Sequence, residues 1–109
     1  DELDGGSGAD ILNGGIGQDV LKGGAGADMF VFQSIDSSFA ALDKITDFNA
    51  AQGDRIDFSS FHILASDLAI NQISKSSYLV AVDLDHDGGY DFGLSVFSRS
   101  QLTVADFVL

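Results

Sequence analysis

The sequence predicts an all-β fold in two parts, a β-solenoid of very short strands followed by a small capping β-domain with a hairpin and short helical turns. A nine-residue repeat rich in glycine and aspartate fills the start of the chain. The alternation of apolar and polar residues that is typical of strands follows it, and turn residues separate those strands. We therefore predict a repeat region over 1–31 and a capping domain over 32–109.

The composition is that of a strongly acidic chain with enough apolar residues for a core. The 109 residues include 17 Asp and Glu but only 5 Lys and Arg, so the formal net charge is −12. Because 45% of the residues are hydrophobic and 9 are Phe, we expect a folded core. The charge disfavours nucleic acid and anionic lipid surfaces as partners and favours cations. No apolar run approaches the roughly 20 residues of a membrane-spanning helix, and the absence of Cys excludes disulfides and zinc–thiolate sites.

Three in-register copies of the motif Gly-Gly-x-Gly-x-Asp form the repeat. They begin at Gly5, Gly14 and Gly23, and a three-residue segment centred on an apolar residue follows each copy. Counting back nine residues from Asp10 places Asp1 at the aspartate position of a further copy, so we expect the chain to begin inside a repeat. A unit this short fits one turn and one very short strand, and it is too short for a helix pair or a propeller blade.

A flexible acidic linker is the alternative interpretation of this region. It is disfavoured because a linker requires neither a fixed aspartate phase nor an apolar residue every nine positions. The apolar residues in this phase are Leu3, Leu12, Leu21 and Phe30. We expect them to fill a narrow interior between two sheets of short strands, which do not hold on their own.

The repeat is expected to stack its aspartates in pairs. Because each strand returns the chain to the opposite edge, stacked neighbours are 18 residues apart, with Asp10 against Asp28 and Asp1 against Asp19. Adjacent turns of such a stack lie about 4.8 Å apart. Two carboxylates about 5 Å apart repel by roughly 3 kcal/mol at an effective dielectric constant of about 20. A cation is therefore expected between them, and a set of carboxylate and carbonyl oxygens suits Ca²⁺ better than Mg²⁺ or a thiophilic metal.

The three copies resemble the nonapeptide repeats of calcium-binding RTX β-rolls. The resemblance implies a parallel β-roll in which the second and fourth carbonyls and the aspartate of one loop share calcium with the first and third carbonyls and the aspartate of another. The implied sites are Gly6, Gly8, Asp10 with Gly23, Ala25, Asp28; Asp1 with Gly14, Ile16, Asp19; a third with Gly15, Gly17, Asp19; and a fourth with Gly24, Gly26, Asp28. Asp36 and Asp43 are candidates to complete the last two.

Beyond the repeats, the pattern predicts ordinary strands. They are expected at 29–32, 45–48, 55–58, 78–84 and 90–97, the last two forming a hairpin around a turn at 86–89. The segment 59–69 has room for a helical turn or two, with Ser66 or Asp67 as the cap. In the hairpin, Val80 and Val82 are expected to face Leu94.

The order of these segments is similar to the C-terminal domain of serralysin-type metalloproteases and related RTX secretion domains. The matching segments are 23–32 running into Asp36-Ser37, then 43–48, 54–59, 91–92 and 102–109. In that family an ending like Asp106-Phe107-Val108-Leu109 belongs to an uncleaved signal for a type I secretion apparatus, whereas a plain final strand is the alternative. The resemblance implies a secreted, extracellular bacterial protein whose partners are this apparatus and an upstream domain of the same protein, with a metalloprotease expected first.

Folding of the repeats is expected to depend on calcium outside the cell. A few buried side chains per turn do not offset the conformational entropy of so many glycines. Extracellular calcium modules bind with dissociation constants of about 10⁻⁴ to 10⁻³ M. We therefore expect several Ca²⁺ ions as cofactors, an unfolded and exportable repeat in the cytosol, and folding after export.

An acidic cluster in the predicted hairpin resembles the start of an EF-hand loop. It consists of Asp83, Asp85, Asp87, Gly88 and Asp91. Leu94 stands where the bidentate Glu of an EF-hand is needed, and the flanking segments predict strands. A hairpin with a solvated acidic face is preferred, and an additional calcium site is the alternative.

The chain itself is not expected to be an enzyme. His62 and His86 are its only histidines, and no His-Glu-x-x-His or Gly-x-Ser-x-Gly motif is present. Any catalytic site is therefore expected upstream.

A polysaccharide-binding module is the rival function. The R-modules of mannuronan epimerases have similar β-rolls and a comparable Asp-x-Ile-Thr-Asp-Phe region. Binding alginate requires a basic track, but the available cations are scattered along the sequence at Lys22, Lys44, Arg55, Lys75 and Arg99. The RTX tail of a lipase is a further alternative for the parent protein.

Overall fold

The computed structural model describes residues 2–13, 18–32, 43–59, 63–83, 92–98 and 100–109. The strands in these ranges are β1 Glu2–Asp4, β2 Ile11–Leu12, β3 Val20–Lys22, β4 Met29–Val31, β5 Asp43–Phe48, β6 Arg55–Asp57, β7 Leu68–Gln72, β8 Ser77–Val82, β9 Phe92–Ser98 and β10 Phe107–Val108. Short 3₁₀ turns lie at Ala50–Gln52, Ala65–Asp67 and Val104–Asp106. The predicted all-β fold class is confirmed. Among the described residues, no helix has the length and apolar character that crossing a membrane requires.

The strands of the glycine repeats alternate between two sheets. One sheet has the order β1-β3-β5-β9-β8-β7 and the other has the order β10-β6-β4-β2. Pairing is parallel, with Leu3 opposite Leu21 in the first sheet and Leu12 opposite Phe30 in the second. Each of these pairs is two repeats apart, as the nine-residue period predicts. The repeats therefore form a parallel β-roll.

The parallel stacking continues beyond the last glycine repeat. Strand β5 adds to β3 with Ile45 opposite Leu21, and β6 adds to β4 with Ile56 opposite Phe30. Strand β9 then pairs in parallel with β5, and β10 pairs in parallel with β6. The first strands of the capping segment are thus further turns of the same coil, and the last repeat loop has a neighbour on each side.

The hydrophobic core lies between the two sheets. The inward residues Leu21, Phe30, Ile45 and Ile56 are fully buried, and Leu12 is almost so. Phenylalanine rings close the capping end, with Phe58 5.3 Å from Phe107 and 5.9 Å from Phe32 between ring centroids. Burial of each such side chain stabilises the fold by roughly 1.5–3 kcal/mol. The apolar residue of each repeat therefore faces inward, as the periodicity predicts.

The predicted hairpin is present, and it has an additional strand beside it. Strands β8 and β9 are antiparallel with Val80 opposite Leu94, and both of these side chains are fully buried. Strand β7 pairs with β8 and begins directly after the 3₁₀ turn at Ala65–Asp67. The sequence predicted a helical turn in this segment but not the strand, because Leu68–Gln72 lies at a sheet edge and is only partly buried.

Candidate metal centre

Two glycine loops, residues 5–10 and 23–28, stack directly on one another. Gly6 and Gly24 have φ values of 79° and 83°, and Gly8 and Gly26 have 93° and 104°. A Cβ placed on Gly26 would lie 2.5 Å from the carbonyl oxygen of Gly8, and one on Gly24 would overlap the carbonyl oxygen of Gly6. Two carbonyls of the first loop are therefore directed at the second, and glycine is required there both for the backbone conformation and for the close approach.

The aspartates at the ends of these loops are stacked as well. The Asp10 N–H donates to Oδ1 of Asp28 at 3.0 Å, and the Met29 N–H donates to the Asp10 carbonyl at 2.8 Å. The Oδ2 atoms of Asp10 and Asp28 are buried and accept no hydrogen bond. A Cβ on Gly5 would lie 2.7 Å from Asp10 Oδ2 and 2.9 Å from the Gly23 carbonyl oxygen, so both oxygens lie beside Gly5.

The electrostatics of this pair call for a positive charge. Burial raises the pKa of the Asp28 carboxyl, the negative charges of Asp54 and Asp10 raise it further, and the Asp10 N–H partly lowers it. Asp28 is only 2% exposed. An ionised carboxylate in this position is costly unless a cation compensates it.

The donor atoms suit a hard cation. Within the part of the chain that the structure describes, no group of three or more His, Cys, Asp or Glu side chains is arranged to hold a metal. A metal between the loops would therefore depend on backbone carbonyls as much as on carboxylates. That all-oxygen set fits Ca²⁺, which takes 6–8 oxygen ligands in flexible geometry, and it does not fit zinc.

The residues predicted for the first site lie together in these two loops. Gly6, Gly8 and Asp10 face the loop that contains Gly23, Ala25 and Asp28. Their role as ligands remains a prediction. The arrangement places two carboxylates and several carbonyls at the interface of consecutive turns.

The second and third predicted sites are only partly described. Asp1, Gly14, Gly15, Ile16, Gly17 and Asp36 lie outside the described residues. Asp19 and Asp43 are both buried, and the Asp19 N–H donates to Oδ1 of Asp43 at 2.8 Å. The Lys44 N–H donates to the Asp19 carbonyl at 2.9 Å. Asp43 thus stands beside Asp19 as Asp28 stands beside Asp10.

The fourth predicted site has a different neighbour from those expected. Gly24, Gly26 and Asp28 belong to the loop that stacks on residues 47–54, and the Asp28 N–H donates to Oδ1 of Asp54 at 2.9 Å. Oδ2 of Asp54 accepts from the Asn49 N–H at 2.9 Å, so both oxygens of Asp54 are bonded within the protein. The glycine motif does not indicate Asp54 as a site residue, because no glycine loop precedes it. The signal was the shared pattern Asp-x-apolar-x-Phe, which begins at Asp28 and again at Asp54.

The remaining candidate groups lie mostly outside the described residues. His62, His86, Asp85, Asp87 and Asp91 are among them. Asp83 is buried, and its N–H donates to the Asp67 carbonyl at 2.9 Å. The acidic hairpin face and the additional calcium site therefore both remain predictions.

A comparison with family models shows which protein family the chain belongs to. The family model described as Peptidase M10 serralysin C terminal matches residues 3–109. The chain belongs to the serralysin C-terminal family. The resemblance inferred from the repeats and the capping segments is thereby confirmed. As a serralysin C-terminal domain it is a C-terminal module and not a catalytic domain.

Two solved structures share the fold of this serralysin C-terminal domain. The AlgE6R3 subunit of the Azotobacter vinelandii mannuronan C5-epimerase is 29% identical, with a TM-score of 0.72, over 98% of this chain and 66% of that chain. The AlgE6R2 subunit of the same epimerase is 24% identical, with a TM-score of 0.70, over 100% of this chain and 87% of that chain, and it shows the fold alone. No match to a curated protein was found by sequence.

Proposed function

We propose that this serralysin C-terminal domain is a calcium-binding β-roll whose folding depends on the ion. The observation that supports this most directly is the pair of buried oxygens, Asp10 Oδ2 and Asp28 Oδ2, which accept no hydrogen bond. They belong to the same two stacked loops in which the Gly6 and Gly8 carbonyls are directed at the neighbouring loop. In this proposal Gly6, Gly8, Asp10, Gly23, Ala25 and Asp28 supply the oxygens. The bound ion supplies the positive charge that the stacked carboxylates require.

Calcium would act by stabilising the stacked loops over the open chain. Without it, repulsion between stacked carboxylates and the entropy of the glycines oppose closure. A ligand that binds only the folded state stabilises it by about 2.7 kcal/mol at 100 times its dissociation constant. Millimolar extracellular calcium is only about 1–10 times the dissociation constants of such modules, so each bound ion stabilises the folded state by about 0.4–1.4 kcal/mol, and several ions acting together change which state dominates.

Isosteric substitution of one carboxylate tests this assignment. Replacing Asp28→Asn keeps the shape of the side chain but removes the charge beside the proposed ion. We expect the calcium affinity measured by isothermal titration calorimetry to fall by at least about tenfold, or 1.4 kcal/mol. Glu2→Gln removes the same charge from an exposed side chain and is the matched control. Equal affinity in the Asp28→Asn and Glu2→Gln variants would contradict the assignment.

The wider setting follows from the family. We propose that the domain belongs to a secreted bacterial enzyme, first of all a serralysin-like metalloprotease, and that it passes unfolded through a type I apparatus together with its upstream domain. In the folded domain Phe107 is buried and lies opposite Ile56, so the C-terminal residues belong to a sheet. Recognition of this ending would therefore precede folding. Export of a fused reporter should be lost when residues 106–109 are deleted, and unchanged export would contradict this role.

A second candidate function is the binding of an acidic polysaccharide. Lys22 and Lys44 are distant in sequence, yet both are exposed on the neighbouring strands β3 and β5. The Lys44 Nζ lies 5.8 Å from the centroid of the Phe97 ring, which is 41% exposed. Together they form a small cationic and aromatic patch, to which a carboxylated sugar is complementary.

Titration with alginate oligomers at physiological salt distinguishes this candidate. If the patch binds alginate, the double variant Lys22→Gln/Lys44→Gln should lose the calorimetric signal while the exposed-lysine control Lys75→Gln retains it. The absence of binding by the unaltered chain would exclude this function.

A further inference from the structure

The loop of residues 47–54 holds the last glycine loop from the side opposite the proposed ion. Continuing the pairing of Leu21 with Ile45 places Asp47 beside Gly23, at the stack position that a first loop glycine occupies in the repeats. At the other end, Asp54 accepts the Asp28 N–H at 2.9 Å. A Cβ on Gly53 would lie 3.0 Å from the Ala27 Cβ. The loop of residues 23–28 is therefore enclosed between residues 5–10 and residues 47–54.

Asp47 binds the start of this glycine loop with both carboxylate oxygens. The Gly23 N–H donates to Oδ1 at 2.9 Å, and the Gly24 N–H donates to Oδ2 at 2.8 Å. The corresponding amides of the preceding loop are bonded differently, since Gly5 donates to the Lys22 carbonyl and Gly6 donates to Asp4 Oδ1. One charged side chain thus holds two consecutive amides only in the loop of residues 23–28, among the loops that the structure describes.

The turn that follows Asp47 is closed by hydrogen bonds within the protein. The Ala51 N–H donates to Asn49 Oδ1 at 3.1 Å, and the Gly53 N–H donates to the Ala50 carbonyl at 3.0 Å. Gly53 has a φ of 95°, which ends the 3₁₀ turn. Strand β5, which carries Asp47, is anchored by the buried side chains of Ile45 and Phe48. All of these contacts are made by groups of the protein itself.

We propose that Asp47 is a positioning residue that sets the calcium affinity of the site between the two glycine loops without contacting the ion. Both of its oxygens accept amides of the loop, and in this proposal it lies on the side of that loop opposite the ion. It holds Gly23 and Gly24 in the stacked conformation before calcium arrives, and the ion then has to order fewer residues. Charge-assisted bonds of this kind are stronger than neutral ones. Preorganisation of a binding loop raises affinity because less ordering remains to be done on binding.

This inference rests on the proposed calcium function. A calcium titration of the unaltered chain and of an Asp47→Asn variant distinguishes failure of the inference from failure of the proposed function. An Asn at position 47 accepts through one oxygen only, so Asp47→Asn should raise the calcium concentration at half-saturation about tenfold. The β signal at saturating calcium should stay at the level of the unaltered chain. Asp106→Asn removes an equal charge and one amide acceptor from another loop, since Asp106 Oδ2 accepts from the Thr103 N–H, and should titrate like the unaltered chain. A calcium response in the unaltered chain with an unshifted Asp47→Asn midpoint overturns this inference alone. No calcium response in the unaltered chain overturns the proposed function.

A double-mutant cycle distinguishes positioning from general destabilisation. If Asp47 acts through the site at Asp28, Asp47→Asn should shift the midpoint much less in an Asp28→Asn background than alone. If the fold-changes in the calcium midpoint caused by the two substitutions multiply in the double variant, Asp47 acts on overall stability, and the inference is overturned.

Hydrogen exchange of the unaltered chain provides a test that needs no variant. In the absence of calcium, the Gly23 and Gly24 amides should exchange at least about tenfold more slowly than those of Gly5 and Gly6, because Asp47 already holds them. Equal exchange of the two amide pairs would contradict the inference.

Discussion

The carbonyl oxygen of Gly6 lies in the space that a Cβ on Gly24 would take, and this close approach shows what the repeat requires of its glycines. Both residues have positive φ, but a Cβ on Gly6 would have nothing within 4 Å, whereas one on Gly24 would overlap the Gly6 carbonyl. The positive-φ glycines of the two loops thus have the same backbone conformation, but only those of the second loop are closely approached by a neighbouring loop. Gly24 requires glycine both for its positive φ and for the close approach of the Gly6 carbonyl. Gly6 requires glycine for its positive φ alone.

This difference predicts unequal effects of the same substitution. Gly6→Ala should cost about 1–2 kcal/mol of unfolding free energy through backbone strain alone. Gly24→Ala should cost about 1–3 kcal/mol more, because the methyl group also displaces the adjacent loop. The measurement is urea denaturation at saturating calcium, and equal losses in the two variants would be evidence against the stacked arrangement of the loops.

Some residues of the site were predictable from spacing and others were not. The 18-residue spacing was enough to pair Asp10 with Asp28, because both lie in intact motifs. Asp43 and Asp54 join their stacks at spacings of 24 and 26 residues. Asp47 stands where the repeat has a glycine, so nothing in the motif itself indicates a role for it.

Among the strands, β5 and β6 show how a coil continues after its repeat has ended. Their inward residues Ile45 and Ile56 remain in register with Leu21 and Phe30. The spacing between successive inward residues nevertheless grows from nine to 15 (Phe30 to Ile45) and 11 (Ile45 to Ile56). Only the inward apolar residue and the aspartate before it are retained. The sequence predicts the strands from alternation, but their stacking on the roll requires knowledge of loop length that a nine-residue period does not contain.

The continuity of the coil gives Ile56 a central place. It is fully buried and lies between β4 and β10, so Ile56→Ala should lower the free energy of unfolding by about 2–5 kcal/mol. Ile73, which is 65% exposed, provides the control. Ile73→Ala should change the free energy of unfolding by less than about 0.5 kcal/mol. Denaturation followed by circular dichroism measures both. A small effect of Ile56→Ala would show that β6 is not part of the common core.

In the molecule as a whole, buried negative charge is concentrated in two columns. Asp10, Asp28 and Asp54 precede the strands of one sheet, and Asp19 and Asp43 stand in the corresponding place in the other. These columns lie in a chain with a net charge of −12. Of these five aspartates, only Asp54, at the capping end, has both oxygens in the hydrogen bonds described above. In the proposed function, cations compensate the carboxylates of the glycine loops, whereas amide hydrogen bonds compensate Asp54 at the capping end.

The proposed preference for calcium over other cations follows from the same donor set. A cluster of carboxylates alone would also suit Mg²⁺ with its retained waters, but carbonyls on a closely stacked backbone leave little room for a hydrated ion. The domain should therefore distinguish the two ions even though both are divalent. General screening of the net charge would not distinguish them.

The most direct test of the account is a far-ultraviolet circular dichroism titration of the unaltered chain, first freed of metal by a chelator. We predict that millimolar Ca²⁺ increases the β signal cooperatively, that the same concentration of Mg²⁺ does not, and that renewed chelation reverses the change. A metal-free chain that already shows its full β signal, or one that responds equally to both ions, would contradict the claim that calcium between the stacked loops stabilises the roll.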